Sequence, residues 1–322
     1  MVDVVHSLRA RVEGGLVPAV PIPFDADGRL HGGAQAAYLR YMIEQPVAGV
    51  AVWAHTGRGL LVDERTATVV LKDWRAALAD KVIVAGAGNA VSGETSEKAT
   101  ARAVAMAERA AAAGADALLV YPPTWLRGHP QMEKAIVEHH RALAAVGLPL
   151  VLFYLYEAAG GIAYSAAVLA ELLAHPAVLG IKLATLDSVI TYQDTARLLA
   201  ERFPDKLLLT GEDRFLGYSL RLGARAALIG MGAVLCSLQA ELLGAHLRGD
   251  AGRFLALSDH ADRLAESIFI RPMEGYIKRL LWALVHLGVI PLEAANDPWA
   301  PPLSRHEFEE VGRTVAALKE SR

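Results

Sequence analysis

Short apolar runs alternate with longer, more polar stretches over the first two thirds of the chain. Near-continuous apolar runs are typical of parallel strands that are buried on both faces. Eight runs of this kind are present, and we predict a strand in each: residues 15–24, 49–55, 81–88, 117–123, 148–156, 178–185, 206–213 and 225–232.

The stretches between these runs are rich in Ala, Leu, Arg and Glu, which favour helices. Asp63, Thr95 or Ser96, and Ser165 can cap helix N-termini, and Gly114 can end a helix. Seven helices are predicted, over residues 34–44, 63–79, 96–113, 131–145, 165–174, 186–201 and 215–222. Eight strands separated by seven helices indicate a (β/α)8 TIM barrel. A doubly wound open sheet is the alternative, but the first run is not followed by a phosphate-binding glycine turn.

The alternation stops after Gly232. Four further helices and no strands are predicted, over residues 234–249, 251–270, 273–288 and 306–319, with a proline-rich linker before the last one. We therefore divide the chain into a barrel over residues 1–232 and a C-terminal helical extension over residues 233–322 that packs on the barrel.

Composition and charge exclude several classes of function. The net charge of −3 and the pI near 6.4 give no electrostatic reason to expect nucleic acid or a membrane as a partner. Residues 1–13 lack the apolar core of a secretory signal, and no apolar run is long enough to span a membrane. Cys236 is the only cysteine, so an internal disulfide is impossible. We expect a soluble cytoplasmic protein, and the absence of metal and nucleotide motifs predicts neither group as a cofactor.

A lysine interrupts the sixth apolar run. Because side chains alternate along a strand, Lys182 shares a face with Gly180 and Ala184, where a long side chain has room. Active sites of such barrels lie at the carboxyl ends of the strands, and Lys182 is the only lysine at such a position. Burial inside the barrel would lower its pKa, and a neutral amine can form a Schiff base with a ketone. The alternative is a surface lysine at a strand end.

Several motifs resemble the dihydrodipicolinate synthase / N-acetylneuraminate lyase family of class I aldolases. Gly180 to Thr185 is close to the family motif G-I-K-x-A-T, and Pro21 to Gly28 is similar to its T-P-F-x-x-D-G opening. Gly114 to Ala117 contains its G-A-D, and Pro272 to Gly288 is similar to its C-terminal P-x-x-x-K…L-G run. The resemblance implies that Lys182 forms a Schiff base with pyruvate or a related 2-oxo acid, without a cofactor.

The resemblance also implies a catalytic tyrosine on the fifth predicted strand, 28 residues before the lysine. Counting these 28 residues back from Lys182 gives Tyr154. Placing the tyrosine instead by its distance from the preceding proline, Pro149, gives Phe153. We choose Tyr154, and strand alternation then places it with Tyr156 on the inner face of the barrel and Phe153 under the helices. Its phenol would relay protons during carbinolamine formation and carbon–carbon cleavage. The alternative is a packed aromatic side chain.

Two other strand ends depart from the family pattern. The family's G-T-T-G-E loop after the second strand reads A-H-T-G-R here, and Thr56 and Gly57 are predicted to hold the substrate carboxylate. His55 can serve as an acid or base near neutral pH, or it is only a hydrogen-bonded residue at a strand end. After the fourth strand, Trp125 stands where the family has a tyrosine, and we expect it to cover the pocket or reach a neighbouring subunit.

Three further substrate contacts are predicted at strand ends, namely Thr185, Asp213 and Gly230. Asp213 resembles a residue of the lyase that contacts a sugar-acid tail, and a helix cap is its alternative. The arginine that the synthase carries five residues after its tyrosine is Ala159 here, which argues against dihydrodipicolinate synthase itself.

We therefore predict a class I aldolase or lyase that acts on pyruvate or a related 2-oxo acid, with an aldehyde as the second partner. Arg214 or Arg58 could bind an anionic group of the substrate. One alternative is a dehydratase of a sugar-derived 2-oxo acid that uses the same lysine. Another is a ligand-binding homologue that has lost catalysis. The resemblance also implies a homo-oligomer, either a tetramer or a dimer.

Overall fold

Seven parallel strands form the centre of the protein. The computed structural model describes residues 1–91 and 93–320. The strands follow chain order in one sheet, and each pairs in parallel with the next. They are β1 (Gly49–Val52), β2 (Val82–Ala87), β3 (Ala117–Val120), β4 (Leu150–Leu155), β5 (Val178–Ala184), β6 (Leu207–Thr210) and β7 (Ala226–Ala227).

Helices precede, separate and follow these strands. The helices are α1 (Val2–Val12), α2 (Gly32–Ile43), α3 (Glu64–Ala77), α4 (Ser96–Ala112), α5 (Met132–Ala144), α6 (Ala166–Leu173), α7 (Val189–Arg202), α8 (Leu216–Arg221), α9 (Cys236–Leu247), α10 (Ala251–Ile268), α11 (Tyr276–His286) and α12 (Arg305–Glu320). The helices predicted between the apolar runs, α2 to α8, are all confirmed. None of the helices within the described residues is long and apolar enough to cross a membrane.

Local sequence signals account for several helix ends. The side chains of Asp63, Thr95 and Ser165 each accept a hydrogen bond from the backbone N–H three residues later, which satisfies a donor of the first helical turn. Gly114 follows α4 with a φ of +96°, a conformation that favours glycine after a helix. These predicted signals are confirmed.

The strand predicted at residues 15–24 is wrong. The segment contains three prolines, which have no N–H to donate to a ladder, and it forms only isolated bridges. It is nevertheless hydrogen-bonded to both edges of the sheet. Val17 N–H donates to the Ala227 carbonyl over 2.7 Å, and Ala51 N–H donates to the Pro18 carbonyl over 2.7 Å. The segment therefore lies between β7 and β1.

The sheet has an apolar layer on each face because side chains alternate along the strands. The inner layer contains Val84, Leu119 and Leu209, and the outer layer packs against the helices. Helix α1, which the sequence did not predict, adds Val5 and Leu8 to the inner layer. It also reaches the segments just before β2, β3 and β6, so it covers the amino ends of the strands. The carboxyl ends remain available for a site.

The last part of the chain is helical, as predicted. Helices α9 to α12 follow β7, and the linker between α11 and α12 folds back toward the start of the chain. Phe24 and Trp299 meet edge to face there, with their ring centroids 5.7 Å apart. Asp297 of the same linker pairs with Arg58 in the turn after β1, so the linker reaches the site described next.

Candidate active site

Lys182 lies near the carboxyl end of β5 and is 5% exposed. Its Nζ is 4.3 Å from the centre of the Phe153 ring. Burial lowers the pKa of Lys182 to about 8, although the nearby carboxylates of Asp213 and Glu212 oppose the shift. Roughly a tenth of such amines are neutral at pH 7, compared with less than about a thousandth for an ordinary lysine. The surface-lysine alternative is therefore wrong.

A cavity surrounds the end of the Lys182 side chain at the carboxyl ends of the strands. Three parts of the chain form most of its wall. The turn after β1 provides His55 and Thr56. The ends of the central strands and the loops after them provide Phe153, Leu155, Tyr156, Gly211, Asp213 and Gly230. The segment from the end of α10 into α11 provides Phe269, Met273, Glu274 and Tyr276. The C-terminal helices thus contribute a whole side of the cavity.

The predicted orientation of β4 is wrong. Phe153 and Leu155 line the cavity, whereas Tyr154 packs on the helical side with its ring 6.0 Å from that of Tyr164. The count of 28 residues assumes a fixed length between the tyrosine and the lysine, and one extra residue in that connection exchanges the two faces of the strand. Consequently, an apolar ring rather than a phenol lies beside Lys182.

Two phenols do reach the cavity: Tyr156, which follows β4 and was predicted to face inward, and Tyr276 from α11. Tyr276 is 6% exposed, and its Oη lies 3.0 Å from His55 Nδ1 and 3.0 Å from Thr56 Oγ1. On the other side of the imidazole, His55 Nε2 lies 3.4 Å from Glu274 Oε1. Burial lowers the pKa of His55, although the charge of Glu274 opposes the shift. Burial also raises the pKa of Tyr276. Both side chains are therefore neutral near pH 7.

Arg58 holds Glu274 in place. Arg58 Nη1 donates to Glu274 Oε2 over 2.6 Å, and Arg58 Nη2 donates to Asp297 Oδ2 over 2.7 Å. Asp297 belongs to the linker between α11 and α12, and its side chain is 1% exposed. Because both carboxylates already pair with Arg58, its charge is not available to a substrate anion. The prediction that Arg58 binds such an anion is not supported.

Asp213 faces Lys182 and joins the ends of two strands. Its Oδ1 accepts a hydrogen bond from the backbone N–H of Met231 over 2.7 Å. The helix-cap alternative is wrong, because α8 begins at Leu216 and its first turn has no side-chain cap. Burial raises the pKa of Asp213 to about 7, and the charge of Lys182 opposes the shift. The two groups are close enough for the charge of each to affect the protonation of the other.

Glu212, which lies at a strand end but to which the sequence analysis assigned no role, is fully buried. Its carboxylate accepts hydrogen bonds from the backbone N–H of Thr185 over 2.6 Å and of Leu186 over 3.0 Å. It also accepts one from the Thr185 hydroxyl over 2.9 Å. Leu186 has a φ of +45°, which costs energy for a leucine, and these bonds hold it there. Glu212 therefore fixes the loop after β5, and Thr185 contacts Glu212 rather than the cavity.

The remaining predicted residues are divided between the cavity and its surroundings. Gly230 lines the cavity, and a Cβ there would lie 3.1 Å from Thr56 Oγ1. Gly57 N–H donates to the Ala54 carbonyl within the turn after β1, so it is not available to a carboxylate. Trp125 packs against His139 outside the cavity, with the ring centroids 5.1 Å apart.

A wider vestibule opens outside the cavity. Tyr156, Leu186 and Glu274 line both spaces. Arg214 and Arg271 also line the vestibule. Arg214 donates to a backbone carbonyl, and Arg271 forms no ion pair among the described residues. Two exposed guanidinium groups therefore face the approach to Lys182.

These features define a parallel α/β protein with a buried, partly neutral lysine at the carboxyl ends of its strands. The model of the dihydrodipicolinate synthetase family matches residues 13–318. The 4-hydroxy-tetrahydrodipicolinate synthase of Stenotrophomonas maltophilia strain R551-3 is 30% identical over 303 residues, which are 90% of this chain and 95% of that protein. The chain therefore belongs to the dihydrodipicolinate synthetase family.

Solved structures show the same fold. A prophage protein of E. coli K12 from the dihydrodipicolinic acid synthase family, solved in complex with pyruvate, is 20% identical with a TM-score of 0.81 and covers 95% of this chain and 98% of its own. A catalytic lysine mutant of the sialic acid aldolase of Ruminococcus gnavus is 18% identical with a TM-score of 0.81 and covers 97% and 98% of the two chains. At these identities the likeness concerns the fold alone.

Proposed function

We propose that this chain is a class I aldolase-type enzyme in which Lys182 forms a Schiff base with pyruvate or a related 2-oxo acid. The observation that carries the proposal is the burial of Lys182 in a cavity at the carboxyl ends of the strands, with its pKa lowered to about 8. The pyruvate complex of the E. coli relative and the catalytic lysine of the Ruminococcus aldolase support it. We also propose that the segment 15–20 completes a (β/α)8-type barrel around this site.

The proposed chemistry uses the amine as an electron sink. The neutral Nζ attacks the 2-oxo carbon, and loss of water leaves a positively charged iminium. The iminium accepts the electron pair that is released when a neighbouring carbon–carbon bond breaks. Thr56 lies on the cavity wall, where the family resemblance implies that the substrate carboxylate binds.

Borohydride trapping tests this function. The protein is incubated with pyruvate and reduced, and the added mass is located by peptide mass spectrometry. We expect an adduct on Lys182 and none in Lys182→Arg, because a guanidinium does not act as the nucleophile. Lys206, near the amino end of β6, provides the control, and Lys206→Arg should still form the Lys182 adduct. No adduct with pyruvate or with longer 2-oxo acids would contradict the proposal.

We propose that the second substrate is an aldehyde with an anionic group away from its carbonyl. Arg214 and Arg271 in the vestibule support this class, since neither forms an ion pair with a carboxylate among the described residues. A phosphorylated aldehyde should condense with pyruvate more efficiently than its unphosphorylated form. Arg214→Gln should raise the KM of the phosphorylated aldehyde about two- to fivefold, as expected for an exposed charge pair. Equal use of both aldehydes would contradict this substrate class.

Phe153 favours a second candidate function, that of a ligand-binding homologue without catalysis. The apolar ring lies where the family resemblance implied a catalytic phenol. This candidate predicts that pyruvate binds in a ligand-observed NMR experiment but that reduction leaves no adduct on Lys182. The trapping experiment therefore separates the two functions.

A further inference from the structure

Schiff-base chemistry needs a proton donor and acceptor near the lysine. Phe153 cannot supply a proton, and Tyr154 lies on the other face of β4. The cavity wall offers two phenols, those of Tyr156 and Tyr276. If the proposed function is correct, another group must take the role that the family resemblance assigned to β4.

Tyr276 is the phenol that belongs to a hydrogen-bonded chain. A single tautomer of His55 satisfies both of its contacts, with Nδ1 accepting from the Tyr276 hydroxyl and Nε2–H directed at Glu274. The Thr56 hydroxyl then donates to Tyr276 Oη, so that its hydrogen bond supports negative charge on that oxygen. A carboxylate, an imidazole and a hydroxyl group in this order also form the proton-transfer chain of hydrolases, although here the hydroxyl group is a phenol.

The far end of this chain is fixed. Glu274 binds His55 through one carboxylate oxygen and Arg58 through the other. Arg58 is in turn held by Asp297 through three contacts of 2.7–3.2 Å. Arg58 and Asp297 are buried, so they fix the position of Glu274, and the imidazole cannot turn away from the phenol without losing its contact with that carboxylate.

Tyr156 has no comparable partners. Its hydroxyl forms no hydrogen bond to any described residue, whereas the hydroxyl of Tyr276 contacts both His55 and Thr56. If the Tyr156 oxygen accepted a proton from the substrate, no hydrogen-bonded base among the described residues could accept the phenol proton in turn. Asp213 also faces Lys182, and its Oδ1 accepts a hydrogen bond from the backbone N–H of Met231, but among the described residues it is hydrogen-bonded to no side chain that could pass a proton on.

We propose that Tyr276 is the catalytic acid and base of this site, and that His55 and Glu274 are positioning residues that accept and return its proton. The inference rests on the proposed Schiff-base function. The catalytic phenol would then come from α11, in the C-terminal helices, and not from β4, the strand that carries Phe153 beside the lysine.

The proton steps balance as follows. When the carbinolamine loses water, its C–O bond breaks, the oxygen takes the Tyr276 proton, and the nitrogen lone pair forms the C=N bond. Tyr276 Oη then regains a proton from solvent, which restores the phenol. During cleavage, the proton of the C4 hydroxyl passes to Tyr276 Oη while the phenol proton passes to His55 Nδ1. The C3–C4 bond breaks, its electron pair enters the iminium, and an enamine and an aldehyde result. The imidazolium formed on His55 is stabilised by Glu274.

Hydrogen–deuterium exchange of pyruvate tests Tyr276 without the second substrate. Enamine formation removes a C3 proton, and its return in D₂O replaces it with deuterium, so the methyl signal in the proton NMR spectrum declines. Tyr276→Phe should slow this exchange by about 10²-fold or more, the range of general acid–base catalysis. Tyr154→Phe, which changes a phenol outside the cavity, should exchange like the original protein. Borohydride should still trap pyruvate on Lys182 at long times in both variants.

A second variant keeps the test decisive if Tyr276→Phe no longer forms the adduct. His55→Gln can accept a hydrogen bond from the phenol but cannot take its proton, so exchange should fall about tenfold or more while the Lys182 adduct persists. Normal exchange in Tyr276→Phe would overturn the role of Tyr276, and normal exchange in His55→Gln would overturn the role of His55. A loss of exchange in Tyr156→Phe but not in Tyr276→Phe would also overturn the role of Tyr276. No exchange in the unaltered protein would overturn the proposed function together with this inference.

Discussion

At the scale of single residues, burial sets the reactivity of Lys182. Burial in the cavity lowers the pKa of the amine, whereas the charges of Asp213 and Glu212 limit the shift. The sequence predicted the position of this lysine because only one lysine follows the barrel rule for strand ends. It did not predict Phe153 beside the amine, because a one-residue shift exchanges the two faces of a strand.

The lowered pKa of Lys182 predicts how trapping depends on pH. Below its pKa the amine is protonated and cannot attack, so the initial rate of adduct formation should rise about tenfold per pH unit and level off above about pH 8. Asp213→Asn removes a charge that raises the pKa, so the midpoint should move to lower pH. Asp259→Asn, on the exposed face of α10, is the control with no expected shift. A midpoint near the ordinary pKa of lysine would contradict the burial of the amine.

At the scale of elements, local signals predicted the helices well. The caps at Asp63 and Ser165 depend on residues three positions apart, and such short-range signals can be read directly from the sequence. The predicted strand at residues 15–24 failed because its apolar residues fit a strand but its prolines cannot complete a ladder. Helix α1 was missed although Val5, Leu8 and Val12 recur at helical spacing, because no side chain caps its start and Val2 and Val4 are exposed.

At the scale of the whole molecule, the site combines residues that are far apart in the sequence. His55 and Lys182 come from the strand region, whereas Glu274 and Tyr276 come from the C-terminal helices. Asp297 in the late linker completes the set through Arg58. No spacing rule joins residues so far apart, which is why the sequence predicted the lysine but not the phenol. The helices placed after residue 232 are therefore part of the candidate active site and not only a cover for the sheet.

A crystal structure of the protein with pyruvate tests the central claim most directly, since the claim is one covalent bond at one atom. We predict continuous electron density from Lys182 Nζ to the C2 carbon of pyruvate, within the cavity bounded by Thr56 and Phe153. We also predict that Tyr276 is the phenol nearest to the new bond. Pyruvate bound without a bond to Lys182, or bound outside this cavity, would contradict the account.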